Sequence, residues 1–142
     1  MTQTTIPPEV VRLVRKACAS LPEVTDEEVR GRVVFRIRKR VFLNLLAVDD
    51  PAGNRVSIVS LKVEPSELAA LIANGHPYFR LGSSQAAGWV GVVIDQDTDW
   101  SELQELATDS YCFAAPKRLA DLIKRNSFAG IRETPRPFGS TQ

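Results

Sequence analysis

Arg32-Val33-Val34-Phe35-Arg36-Ile37-Arg38-Lys39-Arg40-Val41-Phe42-Leu43-Asn44-Leu45-Leu46-Ala47-Val48 is the stretch whose reading decides the fold. Val33, Phe35 and Ile37 alternate with Arg32, Val34, Arg36 and Arg38, a period of two that predicts a half-buried strand. Val41 to Val48 predicts a second strand, with Val41, Leu43 and Leu45 on one face and Phe42 and Leu46 on the other. A sheet apolar on both faces needs cover on both, from the chain's own last helices or from a partner. Arg38-Lys39-Arg40 must then hold a tight hairpin turn, although it lacks the Gly or Asn that such turns favour.

Downstream, Asp49 to Asn54 is a loop signal and Arg55 to Val63 a third strand, which completes a meander. Pro65 opens a helix carrying Leu68, Leu71 and Ile72, closed by Asn74-Gly75. His76 to Phe79 reads as extended, Gly82 to Gly88 as a small-residue loop, and Trp89 to Asp95 as a buried strand. Asp99 with Glu102 caps a helix running through Leu103, Leu106 and Ala107 towards Tyr111, and Pro116 starts a last helix with Leu119, Leu122 and Ile123. Upstream, Pro7-Pro8 opens a helix to about Ser20, with Val10, Leu13, Val14, Ala17 and Cys18 on one side. Thr25 with Glu28 has the form of a capping box, so the acidic stretch Glu23 to Glu28 is expected as a short helical turn or loop.

The 142 residues suit one domain, expected over 1–125, with a Gly-, Pro- and polar-rich flexible tail over 126–142. Hydrophobic residues at 44% and charged residues at 25% are near the globular average and argue against disorder. The net charge of +1 gives no argument for a polyanion partner, so any such argument must come from how charge is distributed. Cys18 and Cys112 are too few for a disulfide framework and fit reduced residues within apolar helical patterns. The first residues carry no basic and apolar leader, and no apolar run approaches the ~20 residues of a membrane span, so a cytoplasmic location is expected.

Seven segments, in order, resemble the MmcQ/YjbR family of small bacterial proteins. They are Leu21-Pro22-Glu23-Val24-Thr25, Phe35-Arg36-Ile37, Leu61-Lys62-Val63-Glu64-Pro65, Gly88-Trp89-Val90, Asp99-Trp100-Ser101-Glu102-Leu103, Ser110-Tyr111 and Ala115-Pro116-Lys117-Arg118-Leu119. The resemblance implies an α+β fold, an antiparallel sheet with helices packed on one face, of the type called double-wing or CyaY-like. Members are commonly labelled DNA-binding by analogy of fold, a weak warrant for function. Family hairpins usually carry glycine where Arg38 stands, so the wing tip of this chain is more basic.

Arg30, Arg32, Arg36, Arg38, Lys39 and Arg40 form a basic run with no acid from residue 29 to 40. In a strand, Arg32, Arg36 and Arg38 point the same way, with neighbours two residues along about 7 Å apart, near the phosphate spacing of one DNA strand. Lys117 and Arg118 stand in the first turn of the last helix against its dipole, a conflict that a bound anion would remove. With Lys62 they complete the expected phosphate contacts: Arg32, Arg36, Arg38, Lys39, Arg40, Lys62, Lys117 and Arg118. The competing reading is a solvated face whose arginines pair with Glu23 to Glu28.

Asp95-x-Asp97-x-Asp99 fails as a calcium loop, because Trp100 and Leu106 stand where glycine and glutamate are needed. Frataxin-like iron binding would want acids on the first helix, which carries Arg12, Arg15 and Lys16. His76 has no nucleophile or metal-ligating partner in sequence, and Trp89 and Trp100 read as core or core-edge anchors rather than a base-stacking platform. The expectation is a module without catalysis, cofactor, metal or membrane contact that binds duplex DNA weakly and mostly without sequence preference. The alternative is a protein-interaction, homodimer or small-ligand module that uses an apolar sheet face. A continuous basic face favours the first, and an exposed apolar patch the second.

Overall fold

Alternation and capping place the elements in the order β1 (Gln3–Thr4), α1 (Pro8–Ala17), β2 (Val24–Val29), β3 (Arg32–Ile37), β4 (Arg40–Asp49), β5 (Arg55–Lys62), α2 (Pro65–Asn74), β6 (Tyr78–Arg80), β7 (Trp89–Ile94) and α3 (Trp100–Ala114). A last helix, α4, covers 117–124. The computed structural model describes residues 3–81 and 88–124, so the tail expected at 126–142 and most of the loop expected at Gly82 to Gly88 lie outside the described residues. The strands form one antiparallel sheet in the order β2-β3-β4-β5-β7-β6, and β1 pairs with β4 where β3 has not yet begun.

Cross-strand rows make the core. Phe35, Leu43, Leu61 and Val90 stand side by side across four strands, and Val33, Leu45, Val59, Val92 and Tyr78 form the next row. All are buried, and each full burial is worth about 1.5–3 kcal/mol before ordering costs. The helices cover this face, giving the expected α+β layering. Val14 and Cys18 of the α1 segment, Leu71 of α2 and Leu103, Leu106 and Tyr111 of α3 enter the same core. Asp99 caps α3 by accepting from the Glu102 amide at 3.1 Å, as its spacing predicts. Burial pushes the Cys18 thiol up to about 12, which keeps it neutral and inert.

The structure departs from the sequence reading in three places. Val24–Val29 is an edge strand, and the acidic stretch is neither helical turn nor loop. Thr25 lies opposite Arg36 and Glu27 opposite Val34, so the ladder offered by β3 prevails over the local helix-cap pattern. Its exposed acids also guard the sheet edge against pairing with another chain.

A register shift then separates β3 from β4: Phe35 pairs with Leu43 while Arg36 pairs with Val41, leaving Phe42 as an extra residue. The bulge turns Phe42 into the core beside Leu43, instead of onto the opposite face with Leu46. Trp89 is half-buried rather than deep in the core. Val90, Val92 and Ile94 take the core side of β7, and the period of two sends Trp89, Gly91 and Val93 to the other. On that other face the Phe79 ring lies over Gly91, where a Cβ would come within 2.3 Å of it.

Candidate functional site

The groove that gathers the cations begins with a serine. The β4–β5 ladder ends at the pair Leu43–Leu61. Beyond that pair, the Ser110 hydroxyl of α3 donates to the Phe42 carbonyl at 2.6 Å and accepts from the Lys62 amide at 2.9 Å. One side chain thus takes both groups that the next rung would have joined, and it satisfies them while β4 diverges from β5. Tyr111 sets its ring edge-on to Phe42, with centroids 5.6 Å apart, and donates its hydroxyl to the Pro22 carbonyl at 2.8 Å. The bulge, Ser110 and Tyr111 therefore fix α3 against this end of the sheet.

Two clefts open there and share Arg40 and Ala114. The smaller, about 280 Å3, lies among Arg40, Val41, Phe42, Lys62, Trp89, Ser110 and Phe113. The larger, about 600 Å3, runs between the β3–β4 hairpin (Ile37, Arg38, Lys39, Arg40) and the α3–α4 elbow (Ala115, Pro116). Among the described residues four cations line the pair, and no carboxylate does. Acids gather elsewhere. Burial, then the neighbouring carboxylates of Asp109, Glu64 and Glu102, raise the Glu67 carboxyl between α2 and α3.

The eight residues expected to contact phosphate are divided among different surroundings. Arg38, Lys39, Arg40 and Lys62 line the clefts, and Lys117 and Arg118 follow Pro116 at the elbow. Lys39, Arg40 and Arg118 are exposed and make no ion pair among the described residues. Arg38 does not continue the row of Arg32 and Arg36. It sits in the two-residue turn at φ 58°, the left-handed region that glycine favours, with Nε 3.2 Å from Glu23 Oε1.

Arg36 pairs with Glu27, and Lys117 lies 3.8 Å from Asp121 one helical turn on. The competing expectation, pairing with the acidic stretch, therefore holds for Arg36 and Arg38. Arg32 is exposed at the far end of β3, about 20 Å from the hairpin tip at ordinary strand rise. The basic run is two sites in space.

The sequence reading places Trp89 at the core or its edge, meets Ser110 only within a family segment and gives Phe113 no role. Strand alternation could have turned Trp89 away from the core, and the two-residue offset from Tyr111 could have placed Phe113 off the buried helix face. Nothing local marks Ser110, whose partners lie 68 and 48 residues away in the chain.

The acidic loop is turn and cap chemistry. The Asp95 amide donates to Thr98 Oγ1, the Asp97 amide donates to Asp95 Oδ1, and His76 Nε2 sits 3.4 Å from Asp95 Oδ2. Among the described residues no group of three His, Cys, Asp or Glu side chains could hold a metal ion. No described helix is long and apolar enough to cross a membrane.

The fold recurs in solved structures. A Pseudomonas syringae protein of 13% identity superposes with a TM-score of 0.62, covering 77% of this chain and 99% of its own. A Deinococcus radiodurans protein with a DUF419 domain, 23% identical, gives 0.53 over 72% of this chain and 76% of its own. No curated protein matches the chain. At such identities these likenesses speak to fold alone. Residues 19–113, from the end of α1 almost to the end of α3, match the YjbR family. That span takes in most of the sheet and its bulge together with Ser110 and Phe113, and by it the chain belongs to the YjbR family.

Proposed function

We propose that this protein is a nucleic-acid-binding module that holds the phosphates of duplex DNA at the sheet-end groove and catalyses no reaction of its own. The observation that carries the reading is the acid-free lining of the two clefts by Arg38, Lys39, Arg40 and Lys62, in a chain whose net charge is only +1. Cations concentrated on one concave surface, where Glu23 pairs with Arg38 alone, attract a polyanion that the whole-chain charge would not. Lys117 and Arg118 are exposed at the start of α4, directly after the cleft residue Pro116. Arginines and lysines suited to phosphates give weak, mostly sequence-independent binding.

The test is charge reversal where the cations are unpaired. Lys39→Glu with Arg40→Glu should lower affinity for a random duplex at least tenfold while leaving Tm nearly unchanged, since both side chains are exposed. Unchanged affinity in that variant contradicts the reading.

A second reading draws on the other sheet face, where Leu46, Ile58, Val93 and Phe79 are half-buried rather than sealed. Such a face suits a protein partner or a second copy. Sedimentation showing a dimer that Ile58→Asp dissolves would favour it.

A further inference from the structure

We propose that the smaller cleft is a stacking site for one unpaired nucleobase, so that the chain prefers single-stranded nucleic acid to duplex. The inference rests on the phosphate reading above and narrows it to a class of ligand. Trp89 opens β7 on the side away from the core and is half-buried at the cleft wall. Phe113 lines the same cleft from α3 and is 41% exposed, one of two large hydrophobic side chains so exposed among the described residues. Leaving that ring in water forgoes burial, while a flat apolar partner would restore it.

The Lys62 ammonium lies 5.8 Å from the centre of the Phe113 ring, close enough to attract its π-face and to sit beside a phosphate flanking a bound base. Arg40 supplies a second cation at the same cleft, and its guanidinium plane can itself stack. Among the described residues no carboxylate lines the space to repel the strand. At about 280 Å3 the cleft is at the small end of ligand pockets, suited to one flat ring system rather than an extended molecule. Rings that stack without hydrogen-bond readout accept any base, but a base within a duplex is already stacked and cannot enter.

The experiment compares a short oligothymidylate with a random duplex of equal length at the same salt, using the full chain in a Trp100→Phe background so that Trp89 alone reports. The oligothymidylate should bind more tightly and quench Trp89 fluorescence. Phe113→Ala should cut its affinity about 5- to 100-fold, while duplex affinity and its salt dependence stay unchanged. Trp89→Phe should keep most of the preference and Trp89→Leu should lose it, which separates stacking from simple packing.

Equal affinity for both probes with no quenching overturns the base site and leaves the phosphate reading standing. Phe113→Ala binding oligothymidylate as the parent does has the same meaning. Failure of both probes to bind at low salt overturns the phosphate reading and this inference together.

Discussion

The two turns at either end of β3 look alike in sequence and behave differently in space. Arg30-Gly31 joins β2 to β3, and Arg38-Lys39 joins β3 to β4; each is a two-residue turn, and each puts an arginine at positive φ, 54° and 58°. At the first turn the surrounding hollow is lined by Glu28 and by Ile6, Val11 and Val33, so a carboxylate stands beside the cation. At the second, the bulge at Phe42 and the Ser110 hydroxyl hold the sheet end open; Glu23 pairs with Arg38 there, but Lys39, Arg40 and Lys62 line the hollow with aromatic rings and make no ion pair among the described residues. A basic residue gains its use from what the fold sets beside it, and the run of arginines carries only half of that information.

If the second end is a built site, its supports should be costly to remove. Phe42→Ala deletes a fully buried ring packed on Tyr111 and should lower stability by about 3–5 kcal/mol in denaturant unfolding. Ser110→Ala should cost about 1–3 kcal/mol, because the Phe42 carbonyl and Lys62 amide lose their shared partner. It should also weaken duplex binding, by letting the cleft walls relax. Loss of stability without any change in binding would mean that Ser110 holds the core and not the groove.

The comparison itself is tested by single reversals at the two ends. Arg40→Glu should reduce duplex affinity about tenfold, or about 1.4 kcal/mol, and Arg32→Glu less than twofold. Equal losses would merge the two ends into one basic face and contradict the division drawn here. The smallest effect belongs to the hairpin. Arg38→Gly relieves a left-handed conformation that costs an L-residue about 1–2 kcal/mol, but adds about 0.5–1 kcal/mol of unfolded-state entropy. The exposed pair with Glu23 is also lost, so the net should be a stabilisation of less than about 1 kcal/mol by thermal melt.

Much of the fold is legible in the residues because its signals are local and agree. The alternation of Val33, Phe35 and Ile37, the prolines opening α1 and α2 and the Asp99 cap each specify an element without outside help. Val24–Val29 is illegible because acids are poor strand formers and only the partner strand β3 makes the segment extended. The extra residue at Phe42 has no composition signal, and it moves one side chain across the sheet.

Four of the eight expected phosphate residues come together because the hairpin, the end of β5 and the α3–α4 elbow converge. Arg38, Lys39, Arg40 and Lys62 line the clefts, and Lys117 and Arg118 follow Pro116 in the chain. Arg32 and Arg36 fall outside because strand length and the Glu27 pair are facts of tertiary structure.

Phosphate contact at the groove is read out by the salt dependence of affinity for a random duplex. Each phosphate neutralised contributes a slope of about −0.9 in log K against log salt. Four cleft cations, joined by Lys117 and Arg118, should therefore give a slope of about −4 to −5, flattened by one to two when Lys39 and Arg40 are reversed. A parent protein that shows no salt-dependent binding at low ionic strength, or a slope unchanged by those reversals, would contradict it.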